Sequence, residues 1–154
     1  MIFCICRIVG ISVLMLFCFS ACELVFGPRK TRTFEEAFKI NWGIDLPENM
    51  KIEFSKSEAG RDGLRYSVLK AETEPTEFIA DFSIERDEGL ENRENLLISK
   101  AEFKVPESFL PDWEAVYYWK HTGKGYSKSR IYWDNLYMLY FPGSLTFIIL
   151  QDFV

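Results

Sequence analysis

His121 is the chain's only histidine, and it opens the stretch HTGKGYSKSR, residues 121 to 130, where a base, two serines and three cations crowd together. An imidazole beside Ser127 and Ser129 has the parts of a hydrolytic nucleophile. No Gly-x-Ser-x-Gly elbow is present to expose such a serine, however. One histidine also leaves any zinc site dependent on carboxylates, a poor match to that ion's preferences. Gly123 and Gly125 would let backbone amides approach an anion. The spacing is not the Gly-x4-Gly-Lys-Ser/Thr of a phosphate loop, and a hairpin loop with solvated lysines accounts for the same residues more simply. Carboxylates are abundant at Glu72, Glu74, Glu77, Glu85, Asp87, Glu88, Glu91 and Glu94. A glycosidase-type hydrolase needs two of them facing across a cleft with separated pKa values, whereas a charge run is more often a solvated face. No Asp-x-Asp-x-Asp loop for calcium occurs. These residues imply neither a cofactor nor a metal.

The aromatics give a sharper candidate. Trp113, Tyr117, Tyr118, Trp119, Tyr126, Tyr132, Trp133, Tyr137 and Tyr140 fall in the last third of the chain. Exposed Trp and Tyr stack on sugar rings or anchor a protein partner. Trp113, Tyr117, Trp119 and Tyr126, with Lys124 and Lys128, form the candidate binding surface. The competing expectation, which takes less special pleading, is that these rings fill the core and the cross-strand pairs of a sheet.

The four cysteines are Cys4, Cys6, Cys18 and Cys22, with none beyond. Arg7 precedes an apolar segment of 12 residues, Ile8 to Phe19. That length fits the core of an export signal and falls short of the ~20 residues a membrane-spanning helix needs. Ser20 and Ala21 then lead into Cys22. Phe19-Ser20-Ala21-Cys22 resembles the signal of bacterial lipoproteins, with Phe where that family usually has Leu. The resemblance implies a diacylglyceryl group on the Cys22 sulfur, cleavage after Ala21, and in many bacteria an acylated amine as well. Residues 1–21 would then be the signal peptide, and the protein would stand on the extracytoplasmic side of a bacterial membrane. One acyl chain holds reversibly and two hold stably, at about 0.8 kcal/mol per buried methylene. Ordinary cleavage at Ala21 is one alternative, and an uncleaved anchor helix over residues 8–26 is the other. That helix would place Glu23 in its last turn, and Arg29, Lys30 and Arg32 just beyond it disfavour export of that end. Cleavage before Cys22 would leave no other thiol, so packing alone would hold the fold.

Residues 22–32 read as the lipidated terminus and a short tether, broken at Gly27-Pro28. Arg29, Lys30 and Arg32 would lie close to headgroups or simply in solvent. Residues 45–70, DLPENMKIEFSKSEAGRDGLRYSVLK, resemble a segment of small uncharacterised bacterial proteins in which Leu-Pro leads into a strand and a turn leads into a second. This chain keeps Asp62-Gly63 but has Gly60-Arg61 where His-Gly stands in that segment, and the likeness implies no activity. The chain has 154 residues, 18 Lys and Arg against 23 Asp and Glu, and a net charge of −5. Nothing in it forms the clustered basic footprint of a nucleic-acid binder. A chain this long buries about two thirds of its unfolded surface.

The elements that must position these residues follow from periodicity. Thr33 and Glu36 form a capping box before a helix over residues 34–42, stopped by Gly43. Residues 51–57 and 64–71 alternate as two strands around the turn-rich Glu58–Gly63. Phe78, Ile79 and Phe82 predict a helix over 75–84. The charged 85–95 reads as loop, followed by a helix over 92–103 with Leu96, Leu97 and Ala101 inward. Asp134-Asn135 predicts a tight hairpin between strands at 130–133 and 136–141, and Pro142-Gly143 turns the chain into a strand at 145–150. LYMLYF and LTFIIL do not alternate, as expected of strands covered on both faces. Residues 113–120 are aromatic-rich and read as strand. Residues 33–154 thus form an α+β domain: a mostly antiparallel sheet of five or six strands with two or three helices packed on it. The expected role is a lipid-anchored envelope protein of the non-enzymatic binding or structural kind, its partner a protein or cell-wall glycan. A small surface hydrolase using paired carboxylates, or an inhibitor or immunity-type module, is the alternative.

Overall fold

The computed structural model describes residues 32–58, 63–125 and 133–154. Helix α1, Phe34–Trp42, starts where the capping box predicts. The Glu36 amide donates to Thr33 Oγ1 and the Thr33 amide to Glu36 Oε2, each at 3.2 Å. It ends at Gly43, whose φ of 69° only glycine takes without strain, and whose amide closes on the Lys39 carbonyl. Thr33→Ala is expected to lower stability by about 1 kcal/mol in chemical denaturation, because the Glu36 amide loses its acceptor.

Strands β1, Met50–Ser57, and β2, Gly63–Ala71, form the hairpin the alternation predicts. Gly63 sits at φ 127°, and a β-carbon there would meet Glu58 Oε2 at 2.5 Å. That carboxylate is committed, accepting from the Leu64 amide at 2.8 Å and, through Oε1, from the Glu102 amide at 3.0 Å. Strand β3, Tyr118–Gly125, β4, Trp133–Phe141, and β5, Thr146–Phe153, complete an antiparallel sheet in the order β1-β2-β5-β4-β3. Helix α2, Glu88–Lys100, is the second helix. The protein is therefore an α+β fold with a five-stranded antiparallel sheet.

The central strands are covered on both faces, as their unbroken apolar runs require. On one face lie Leu64, Tyr66, Val68, Tyr137, Leu139, Phe141, Ile148 and Leu150, under α2 and the 101–117 segment. On the other lie Leu69, Ala71, Leu136, Met138, Tyr140, Phe147 and Ile149, under Phe38 of α1 and Ile79 and Phe82. The registers align into rows across the sheet. Lys56, Tyr66, Leu150, Tyr137 and His121 form one row on the α2 face, and Phe54, Val68, Ile148, Leu139 and Trp119 the next. The edge strand β1 slips register between Ile52 and Phe54 and exposes Lys51, Glu53 and Lys56.

Four local expectations are corrected. Residues 75–84 form a series of turns rather than a helix. The Ile79 amide reaches the Pro75 carbonyl, but the Phe82 amide reaches only Ile79, and Ser83 bridges to Trp119 at the sheet edge, which draws the chain out of helical geometry. The charged loop is mostly helix: Asp87 caps α2 by accepting from the Gly89 and Leu90 amides, so the helix starts at Glu88 and ends at Lys100, and Leu96 faces solvent. There is no hairpin at Asp134-Asn135, because β4 runs straight through both. Asp134 accepts from the Val154 amide, and β4 pairs with β3 on one side and β5 on the other. In 113–120 only Tyr118 to Lys120 are strand, and His121 to Gly125 continue β3 rather than forming a loop. The turn after Phe141 is as expected, with Leu145 taking the positive φ of 50° before β5 begins at Thr146.

Candidate functional site

Where the β4–β5 turn leaves the α2 face, the sheet is not covered by a helix. Residues 105–117 pass over it as short turns, with a 3₁₀ turn at Glu107–Phe109, and leave a groove of about 750 Å³. Its floor is Val68, Ile148 and Phe141, and its wall is Phe109, Leu110, Ala115 and Val116. Ser108, Asp112, Ser144 and Thr146 supply the polar lip. The volume falls within the range of ordinary small-molecule sites, and an apolar bed with a few hydrogen-bonding groups is their usual composition. Leu110 and Val116 keep 40% and 68% of their surface exposed. Asp112 Oδ1 accepts from the Glu114 amide at 3.1 Å, which holds the lip in a turn. Phe109 is fixed from below: its ring stacks on Phe54 at 5.0 Å, and its carbonyl accepts from the Tyr66 hydroxyl.

Tyr66 connects the groove wall to a second unusual feature on the same face. Glu94 of α2 is completely buried, and neither carboxyl oxygen has a hydrogen-bond partner. Burial pushes its pKa up to about 8, so at neutral pH the proton stays on. Burial, and then the nearby Glu94, push the Tyr66 phenol far above its usual range. Glu94 is thus a carboxyl with a displaced pKa, but it is closed to solvent and so not placed to act on a substrate.

A polar patch occupies the other end of the face. His121 stacks on Tyr137 at 4.6 Å between centroids, and its Nε2 lies 3.1 Å from Asn135 Oδ1. The Tyr137 hydroxyl accepts from Arg93 Nη1 at 3.2 Å. Asp152, opposite Asn135 in the register, has its pKa raised chiefly by burial; a hydrogen bond from Asn135 opposes this, and Asp134 and Glu58 reinforce it. On the α1 side of the sheet, Asp45, Leu46, Pro47, Asn49 and residues 73–78 line an open cleft of about 570 Å³.

The residues singled out in the sequence are distributed as follows. Trp113 and Tyr117 meet edge to face at 5.5 Å. Trp113 Nε1 donates to Asn95 of α2 at 3.0 Å, and the buried Tyr117 donates to Glu91 Oε1 at 2.8 Å. Burial works to raise the Glu91 pKa, but the hydrogen bonds from Arg86 and Tyr117 outweigh it and hold the carboxyl below its usual range. Trp119 is half-buried and donates from Nε1 to the Glu85 carbonyl at 2.8 Å. Lys124 is exposed on the opposite face of β3, its Nζ 3.3 Å from the Asn41 carbonyl of α1. Tyr126, Lys128 and Cys22 lie outside the described residues. Nothing in the sequence pointed to the groove, and Glu94 appeared there only as one of eight carboxylates, not as a buried one. The groove lining comes from separate stretches joined only by the sheet, and Glu94 sits in a charged run most of whose members are exposed. Among the described residues, no three His, Cys, Asp or Glu side chains converge as a metal site, and no helix is long and apolar enough to cross a membrane. No family model, curated protein or solved structure matches the chain.

Proposed function

We propose that the protein is a lipid-anchored component of a bacterial cell envelope, held through Cys22 on the extracytoplasmic side of a membrane, and that its α+β module binds a ligand or partner without transforming it. The observation that carries the anchor is the Phe19-Ser20-Ala21-Cys22 sequence at the end of a 12-residue apolar run. Support for binding comes from the groove. It offers an apolar bed and hydroxyls at its lip, while Glu94, the one carboxyl with a strongly raised pKa among the described residues, is sealed under α2. A ligand with an apolar body and a hydrogen-bonding end is the chemistry that suits such a bed.

Intact mass measured on the membrane fraction tests the anchor. The expected species begins at Cys22 and carries a diacylglyceryl group, and Cys22→Ala is expected to lose that added mass, since the sulfur that accepts the lipid is gone. An unmodified Cys22 sulfur, or a membrane-bound chain still starting at Met1, overturns the reading.

A further inference from the structure

Helix α2 presents a thin apolar edge to the sheet. Leu90 is its buried aliphatic residue, with Leu97 and Ile98 half-buried, and the remaining central contact is the Glu94 side chain. Polar bonds hold the helix at its rim: Arg86 pairs with Glu91 at 2.7 Å, Tyr117 donates to Glu91, Trp113 to Asn95, and Arg93 to Tyr137. The centre of the interface therefore depends on whether Glu94 is neutral.

The charged and titratable groups around that centre offer Glu94 no compensation. On β2, Tyr66 has its hydroxyl proton committed to the Phe109 carbonyl. On β4, Tyr137 takes the bond from Arg93, the cation next to Glu94 in sequence. Lys56 on β1 and His121 on β3 stand at the two ends of the Tyr66 row, one strand beyond Tyr66 and Tyr137. Asp152 and Glu58 are themselves acidic, and Glu91 and Tyr117 are bonded to each other. An ionised Glu94 in this position has water as its nearest adequate solvent, and the shortest route to water is for the helix to leave the sheet.

We propose that α2 is a proton-held latch: neutral Glu94 lets the helix lie on the Tyr66–Leu150–Tyr137 row, and loss of that proton drives the helix to open locally and uncover the sheet face. The pH window follows from the two states. A carboxyl exposed by opening titrates near its ordinary 4.5, and closed it titrates at about 8. Below 4.5 the latch is fully held. Between 4.5 and about 8 the opening constant rises close to tenfold per pH unit, and above 8 it levels off, both states being ionised.

Hydrogen exchange on the full-length protein at pH 5.0 and 7.5, corrected for intrinsic rates, reads this directly. In the wild-type protein, opening at the amides of residues 92–100 is expected to increase at least tenfold between the two pH values, while β4 and β5 amides keep their protection. In Glu94→Gln the increase is expected to fall below twofold, and Glu94→Leu, which fills the same space without a titrating group, should behave alike. Two results overturn the proposal: an equal pH response in both variants, or loss of protection in β4 and β5 in step with α2.

Discussion

Glu94→Leu is expected to stabilise the protein by about 3–5 kcal/mol at pH 8 and to change it little at pH 4.5. The direction follows from which state binds the proton. Unfolding exposes the carboxyl, which then ionises near 4.5, whereas in the folded protein burial holds its proton to about 8. The folded state thus retains a proton at neutral pH that the unfolded chain releases, and stability attributable to the neutral acid is intact below 4.5 and lost as pH rises to 8. Leucine removes that dependence and fills the site with apolar surface. Neither Glu94 oxygen has a partner, so the substitution orphans no other group. Urea unfolding of both proteins at the two pH values checks this. A variant less stable than wild type at pH 8 would overturn this expectation.

The second large effect lies on the opposite face. Phe147→Ala is expected to cost about 3–5 kcal/mol. The ring is fully buried at the centre of the sheet, 4.6 Å from Tyr140, 5.7 Å from Phe78 and 6.4 Å from Phe82. Its removal leaves a cavity and also frees the turns at residues 75–83, which lack a regular hydrogen-bond ladder and are held by Phe78, Ile79 and Phe82 against the sheet. Ile84→Ala, at a residue 67% exposed just beyond those turns, serves as the comparison and is expected to stay within about 0.5 kcal/mol of wild type. Thermal and urea unfolding distinguish the two.

What the sequence disclosed and what it concealed divide along a physical line. Signals that are local in the chain survived into the fold: the Thr33–Glu36 box, the inward alternation of Leu64, Tyr66 and Val68, and the unbroken hydrophobicity of β4 and β5, whereas the slip in β1 breaks the alternation of Ile52 with Phe54. Each is settled within one element and its neighbour. Signals that depend on distant partners misled. Phe78, Ile79 and Phe82 have helical spacing because all three touch the sheet, but the pull of Ser83 toward Trp119 decides the backbone. Asp134-Asn135 has hairpin chemistry, yet strands on both sides of β4 satisfy its backbone, and the two side chains find Val154 and His121. The charge of 85–95 concealed α2 because its helical period is carried by Leu90, Glu94 and Leu97, and a glutamate in the inward position breaks the expected apolar stripe. For the same reason the candidate site was barely legible: its floor, wall and lip come from Val68, Phe109, Val116, Phe141 and Ile148, positions that only the strand order brings together.

The slip in β1 has a consequence for how copies of the protein coexist at high local density. An open flank of a sheet invites the flank of a neighbour, and a straight apolar one can seed stacked fibrils. Here the flank is kinked at Ile52 and Phe54 and carries Lys51, Glu53 and Lys56 outward, so a second copy arriving edge-on meets misaligned amides and charges that must shed water. Crowded molecules are therefore expected not to pair through this edge.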